Sequence, residues 1–131
     1  MDKVCFCQIR DMFQAINKVE IQLQEQLGLK INEAMVLFQL SEKDGMFSGR
    51  IAGALGLSKS NASKVIVAME KKGYLRRQPC NKDTRCQRFF LEPEGKKMLK
   101  KLQALQLDCL EKTVDKEQSE TEDNNTNNKI L

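Results

Sequence analysis

Ser58, Lys59, Ser60, Asn61, Ser63 and Lys64 are the side chains in this sequence most plainly suited to chemistry at a surface. They are short hydroxyls, one amide and two cations, with no bulky apolar group between them. An asparagine can bond two edge atoms of an adenine, and a lysine can meet a guanine or a phosphate. Ala62, Val65 and Ile66 interleave with this set at helical spacing, so the polar residues share one helix face and the apolar ones turn inward. An ordinary exposed first turn with serine caps is the plainer alternative. Charge distribution weighs against it. Between Ser58 and Phe90 nine basic residues face two acidic ones, a net of +7, whereas the whole chain carries +4. From Glu111 onward six acids face three lysines, a net of −3. A cationic block in an otherwise balanced chain is the footprint of a polyanion-binding surface.

Catalytic chemistry finds little material. The 131 residues include no histidine, which removes the commonest general base, and neither a nucleophile–base pair nor a phosphate loop is visible. No enzyme activity and no cofactor are expected. The five cysteines form an odd set without a regular framework, so reduced thiols are expected rather than disulfide staples. Cys80 and Cys86 bracket a turn and can face each other across it, with plain surface thiols as the alternative. No CxxC pair is present to seed a zinc site from Cys7, Cys80, Cys86 and Cys109, so no metal is expected. No apolar run approaches the roughly 20 residues that span a bilayer. The first residues lack the pattern of a secretory signal, so a cytoplasmic location without membrane attachment is expected.

These groups need positioning elements. Steps of three and four through Cys5, Phe6, Ile9, Met12, Phe13, Ile16, Val19, Leu23 and Leu27 predict a long amphipathic helix ended by Gly28. Its stripe is too long for a small core, so part of it is expected to meet another subunit. Asn32 is the expected N-cap of a second helix that stops near Asp44-Gly45. Ser48 is the expected cap of a short third helix closed by Gly56, and Ser58 that of a fourth ended by Gly73. The third and fourth form a tight corner. Tyr74–Gln78 and Arg88–Leu91 then read as extended around a turn at Asn81–Asp83, a short basic hairpin carrying Arg76, Arg77, Lys82, Arg85 and Arg88. Asp83 is placed to hold Arg85 through a charge-assisted bond. Pro93 suits the first turn of a fifth helix. Beyond about Lys116 the text is polar and asparagine-rich, which predicts disorder.

The stretch Leu57–Gly95 resembles the core of the MarR family of winged-helix regulators. It supplies Gly73-Tyr74-Leu75 after the fourth helix, the strand Arg76-Arg77, the Asp83-Thr84-Arg85 turn, and Leu91-Glu92-Pro93-Glu94-Gly95 leading into the fifth helix. The fold class so implied is mainly α with a short β-hairpin wing, a winged helix-turn-helix. The resemblance implies a homodimer built from the N- and C-terminal helices that reads a pseudo-palindromic operator in double-stranded DNA. The expected organisation is a dimerisation helix at 1–30, a DNA-binding domain at 31–95, a second dimerisation helix at 96–116 and a polar tail at 117–131. The expected function is sequence-specific regulation of transcription, as a repressor responding to a small-molecule effector or an oxidant. Ser58, Lys59, Ser60, Asn61, Ser63, Lys64, Arg76, Arg77, Lys82, Asp83, Arg85 and Arg88 would contact DNA. A protein-interaction module without DNA binding is one alternative. The other is a redox sensor: Cys5-Phe6 is similar to the organic-peroxide-sensing branch of the family, which implies Cys5 as the oxidised residue. Cys109, on the presumed dimer helix, would approach Cys5 of a partner. The tyrosines that hold the thiolate in that branch have no counterpart here, Tyr74 being the single Tyr.

Overall fold

The computed structural model describes residues 1–106 except 81 and 82, and no side chain at 83–85. The side chains of Lys82, Asp83 and Arg85, the whole of Cys109, the later part of the expected second dimerisation helix and the expected tail at 117–131 therefore lie outside the described residues. Helix α1 runs over Lys3–Leu27 and is opened by Asp2, whose Oδ1 accepts the Cys5 N–H at 2.8 Å. Val19 and Leu23 are buried on it, while Phe6, Ile9, Met12, Phe13 and Ile16 stand exposed along the rest of the apolar stripe.

The second compact unit is Leu27–Leu105. It holds α2 (Ile31–Glu42), β1 (Met46–Phe47), α3 (Ser48–Leu55), α4 (Lys59–Lys71), β2 (Leu75–Cys80), β3 (Asp83–Leu91) and α5 (Pro93–Ala104). The sheet is antiparallel in the order β1-β3-β2, with Met46 opposite Phe89 and Leu75 opposite Leu91. Leu29, Val36, Leu37, Leu40, Ile51, Ile66, Met69 and Phe89 form its core. Among the described residues no helix is long and apolar enough to cross a membrane.

Local chemistry sets the α3–α4 corner. Gly56 closes α3 in the left-handed region at φ 69°, which a residue without Cβ adopts at no steric cost. The Leu57 N–H then reaches back to the Ala52 carbonyl at 2.9 Å. Ser58 caps α4, its Oγ accepting the Asn61 N–H at 3.1 Å. At the far end the Tyr74 N–H bonds the Met69 carbonyl at 3.0 Å and turns the chain into β2.

Several expectations need correction. Asn32 is not the cap of α2: the N-cap is Lys30, whose N–H donates to Glu33 Oε1 at 2.9 Å. The bond runs from the cap N–H to the carboxylate at N3, the reciprocal of the bond an asparagine cap would accept. Ser48 lies inside α3, with Phe47 at the cap position and no side-chain bond there. α2 stops at Glu42 because the chain next enters β1, a strand the sequence did not suggest. That strand is held by Asp44, whose Oδ1 accepts the N–H groups of Gly45 and Leu91 at 3.2 and 3.1 Å. The Gly45 N–H also bonds the Phe89 carbonyl at 3.0 Å. Finally, Cys80 and Cys86 are joined as a disulfide rather than left as free thiols. The hairpin register puts Pro79 opposite Gln87, and the two cysteine Cα atoms stand 5.3 Å apart. Among the described residues Cys5 and Cys7 on α1 have no disulfide partner.

Candidate nucleic-acid interface

The first turns of α4 present a bare polar face. Ser58, Lys59, Ser60, Asn61, Ser63 and Lys64 are all exposed, while Ala62, Ile66 and Met69 fill the core behind them. Neither Lys59 nor Lys64 has an ion-pair partner among the described residues, so both ammonium groups are available to an anion. The Ser58 cap spends its oxygen on the Asn61 backbone and leaves the Asn61 amide free to point outward. Arg50 on α3 is also exposed and unpaired among the described residues. The sequence reading missed it. A cation in the first helix of a tight helix pair was the available signal.

The sheet arranges its arginines over aromatic rings. Arg88 lies 4.8 Å from the centroid of Phe47 and is exposed, without an ion pair among the described residues. Arg76 stacks at 4.6 Å on Phe90, pairs with Glu92 at 3.0 Å and donates to Gln78 Oε1 at 2.9 Å. Arg77 forms a fork with both Glu70 oxygens, at 2.9 and 2.7 Å. The hydrogen bonding to Glu70, helped by its charge, outweighs the cost of burial and raises the guanidinium above its already high ordinary value. Arg77 thus stays charged and ties the end of α4 to β2, while Arg88 keeps its charge unspent.

A cleft of about 150 Å³ joins the two tools. It is lined by Ser48 from α3, Lys59, Ser63 and Ile66 from α4, Arg77 from β2, and Gln87 and Phe89 from β3. The polar face of α4 and the cationic sheet therefore open onto one side of the unit. Among the described residues no cluster of three or more His, Cys, Asp or Glu side chains is placed to hold a metal ion.

A tight helix pair with an exposed polar second helix, flanked by a three-stranded antiparallel sheet, defines a winged helix-turn-helix protein. Residues 29–87 match the MarR family model, the family whose core the stretch Leu57–Gly95 resembles. Over 77 residues, 59% of the chain, it is 27% identical to the transcriptional repressor MprA of Escherichia coli K12. That match covers 44% of MprA, so the chain spans under half the length of the curated relatives it matches. AbsC, a MarR family transcriptional regulator from Streptomyces coelicolor, superposes with a TM-score of 0.66 at 29% identity, over 78% of this chain and 72% of that one. The S. aureus MepR–DNA complex gives a TM-score of 0.74 at 21% identity, over 89% and 85% of the two chains, a likeness of fold.

Proposed function

We propose that this chain is a sequence-specific DNA-binding regulator of transcription, a homodimeric repressor acting on a pseudo-palindromic operator and answering to a small ligand or an oxidant. The observation that carries the reading is the shared cleft, which sets Lys59 and Ser63 of α4 beside Arg77 and Gln87 of the sheet. α4 fits the major groove, which admits a helix, with Ser60, Asn61, Ser63 and Lys64 toward base edges. Lys59, Arg50 and Arg88 are suited to phosphates, which position a protein without reading sequence. Arg76 and Arg77, expected to touch DNA directly, serve this reading by bracing the sheet and adding to the local positive potential. Lys82, Asp83 and Arg85, whose side chains lie outside the described residues, are assigned to the same interface by their basic Asp-x-Arg sequence between Cys80 and Cys86. The exposed stripe Phe6, Ile9, Met12, Phe13 and Ile16 supports the dimer, because a monomer rarely leaves so long an apolar row in water. The names of the relatives, a transcriptional repressor and a protein solved in complex with DNA, agree with this reading.

Selection of bound fragments from random duplex DNA tests it. Recovered sites should be pseudo-palindromic, with half-sites about 10 bp apart centre to centre. Asn61→Ala should cost about 1–3 kcal/mol on the best site and relax its sequence preference, as the loss of a bidentate base contact does. An equal loss on every sequence would move Asn61 from base to backbone. No retardation of any duplex at low salt would sink the proposal, because phosphate contacts alone should hold the complex there.

A further inference from the structure

We propose that Cys80 and Cys86 are a reversible thiol–disulfide site that sets how tightly the hairpin holds DNA, with a peroxide as the oxidant. The inference rests on the DNA-binding reading above and deepens it. Cys80 ends β2 and Cys86 lies in β3, and the two are bonded in the structure. Their Cα separation of 5.3 Å falls within the range that two cysteines bridge without moving the backbone. A register shift between Pro79 and Cys80 ends the regular ladder at this point. The sulfur bridge therefore ties β2 to β3 at the point where their regular pairing stops. Both residues are half-exposed, within reach of a small oxidant and of a dithiol reductant. The bridge encloses residues 81–85, which include Lys82, Asp83 and Arg85, three of the twelve side chains expected from the sequence to contact DNA. It also adjoins Gln87 of the shared cleft and exposed Arg88.

The redox step balances. One thiolate attacks a peroxide oxygen, giving a sulfenic acid and, from hydrogen peroxide, one water. The second thiolate attacks the sulfenic sulfur, forms the S–S bond and expels hydroxide, which takes up a proton and leaves as a second water. Two thiols lose two electrons and two protons, and the peroxide gains them. A dithiol returns the pair by exchange through a mixed disulfide. In a reducing compartment such bridges are transient and suited to sensing. Ordering a chain segment against a duplex costs conformational entropy, and a bridge made beforehand removes part of that cost from the binding step. Oxidation therefore tightens binding.

The test uses the full chain, reduced with dithiothreitol or oxidised with hydrogen peroxide, and duplexes selected from random DNA by each form. The oxidised chain should lose two hydrogens by intact mass, and trypsin should release segments 78–82 and 86–88 as one cross-linked species. It should bind its duplex roughly three- to tenfold more tightly than the reduced chain, and dithiothreitol should reverse this. Cys80→Ser/Cys86→Ser should match the reduced wild type in both conditions, while Cys5→Ser/Cys7→Ser/Cys109→Ser should keep the full response. Equal or weaker binding by the cross-linked form, absence of the cross-link, or a response that survives in the Cys80/Cys86 variant overturns the switch and leaves DNA binding standing. Failure of both forms to retard any duplex overturns the DNA reading and the switch together.

Discussion

Glu33→Ala is expected to destabilise the chain by about 2–4 kcal/mol in urea unfolding, more than a typical single substitution. Glu33 is the one buried charged side chain among the described residues, 2% exposed, and a single oxygen serves two partners. Oε1 accepts the Lys30 N–H at the start of α2 and the Lys72 ammonium at the end of α4, each at 2.9 Å. Lys72 also donates to the Gly28 carbonyl at 3.2 Å, so one lysine gathers the entry to α2 and the exit of α4. Loss of a helix cap costs about 1 kcal/mol, and a charge-assisted hydrogen bond contributes roughly 1.5–3 kcal/mol. Breaking a fully buried pair costs roughly 3–5 kcal/mol, but Lys72 keeps 37% of its side chain in water and can re-solvate, which lowers the figure. Glu33→Gln retains an acceptor for Lys30 and should cost less than half as much. A change below about 0.5 kcal/mol in Glu33→Ala, the range of an ordinary surface substitution, would mean that the clamp adds nothing to stability.

The clamp also shows where a sequence is legible and where it is not. The fourth helix and its corner were readable because Gly56, Ser58 and Gly73 each act within a few residues of themselves, through backbone freedom or a cap. Of the set read as inward, Ala62 and Ile66 are buried and were readable from period alone, while Val65 is only half-buried. β1 was not, because two residues carry no period; it exists through Asp44 and its bond to Leu91, 47 residues away. Arg76 and Arg77 were readable as cations but not as partners of Glu92 and Glu70, since those pairs depend on how a strand returns past a helix end. The odd cysteine count argued against pairing, yet a count over the whole chain says nothing about two residues facing each other across one hairpin. Local chemistry survives in the text, whereas contacts made across elements must be seen.

Gly95→Ala should lower stability by about 3 kcal/mol, with the opposite sign to the usual effect of this exchange within a helix, which favours alanine by about 0.5–1 kcal/mol. Gly95 is buried in the first turn of α5, two residues after Pro93. A Cβ there would fall well inside van der Waals contact of the Tyr74 carbonyl oxygen and 3.3 Å from Leu91 Cδ2. The leucine end could rotate away, but the carbonyl cannot. It accepts the Glu92 N–H at 2.9 Å, and the Tyr74 N–H is itself bound to Met69 at the end of α4. Relief therefore requires α5 to lift from the corner where α4 turns into β2, exposing Leu99 and Leu102, which are buried on α5. Gly53→Ala is the internal control: its Cβ would meet nothing within 4 Å on the exposed side of α3, so it should be neutral or slightly stabilising. If both variants unfold at the same urea concentration as wild type, the close approach of α5 to the Tyr74 carbonyl is not a feature of the folded protein. If Gly95→Ala alone falls, the geometry that seats α5 beside the hairpin is established by a backbone contact rather than by the apolar pattern of the helix.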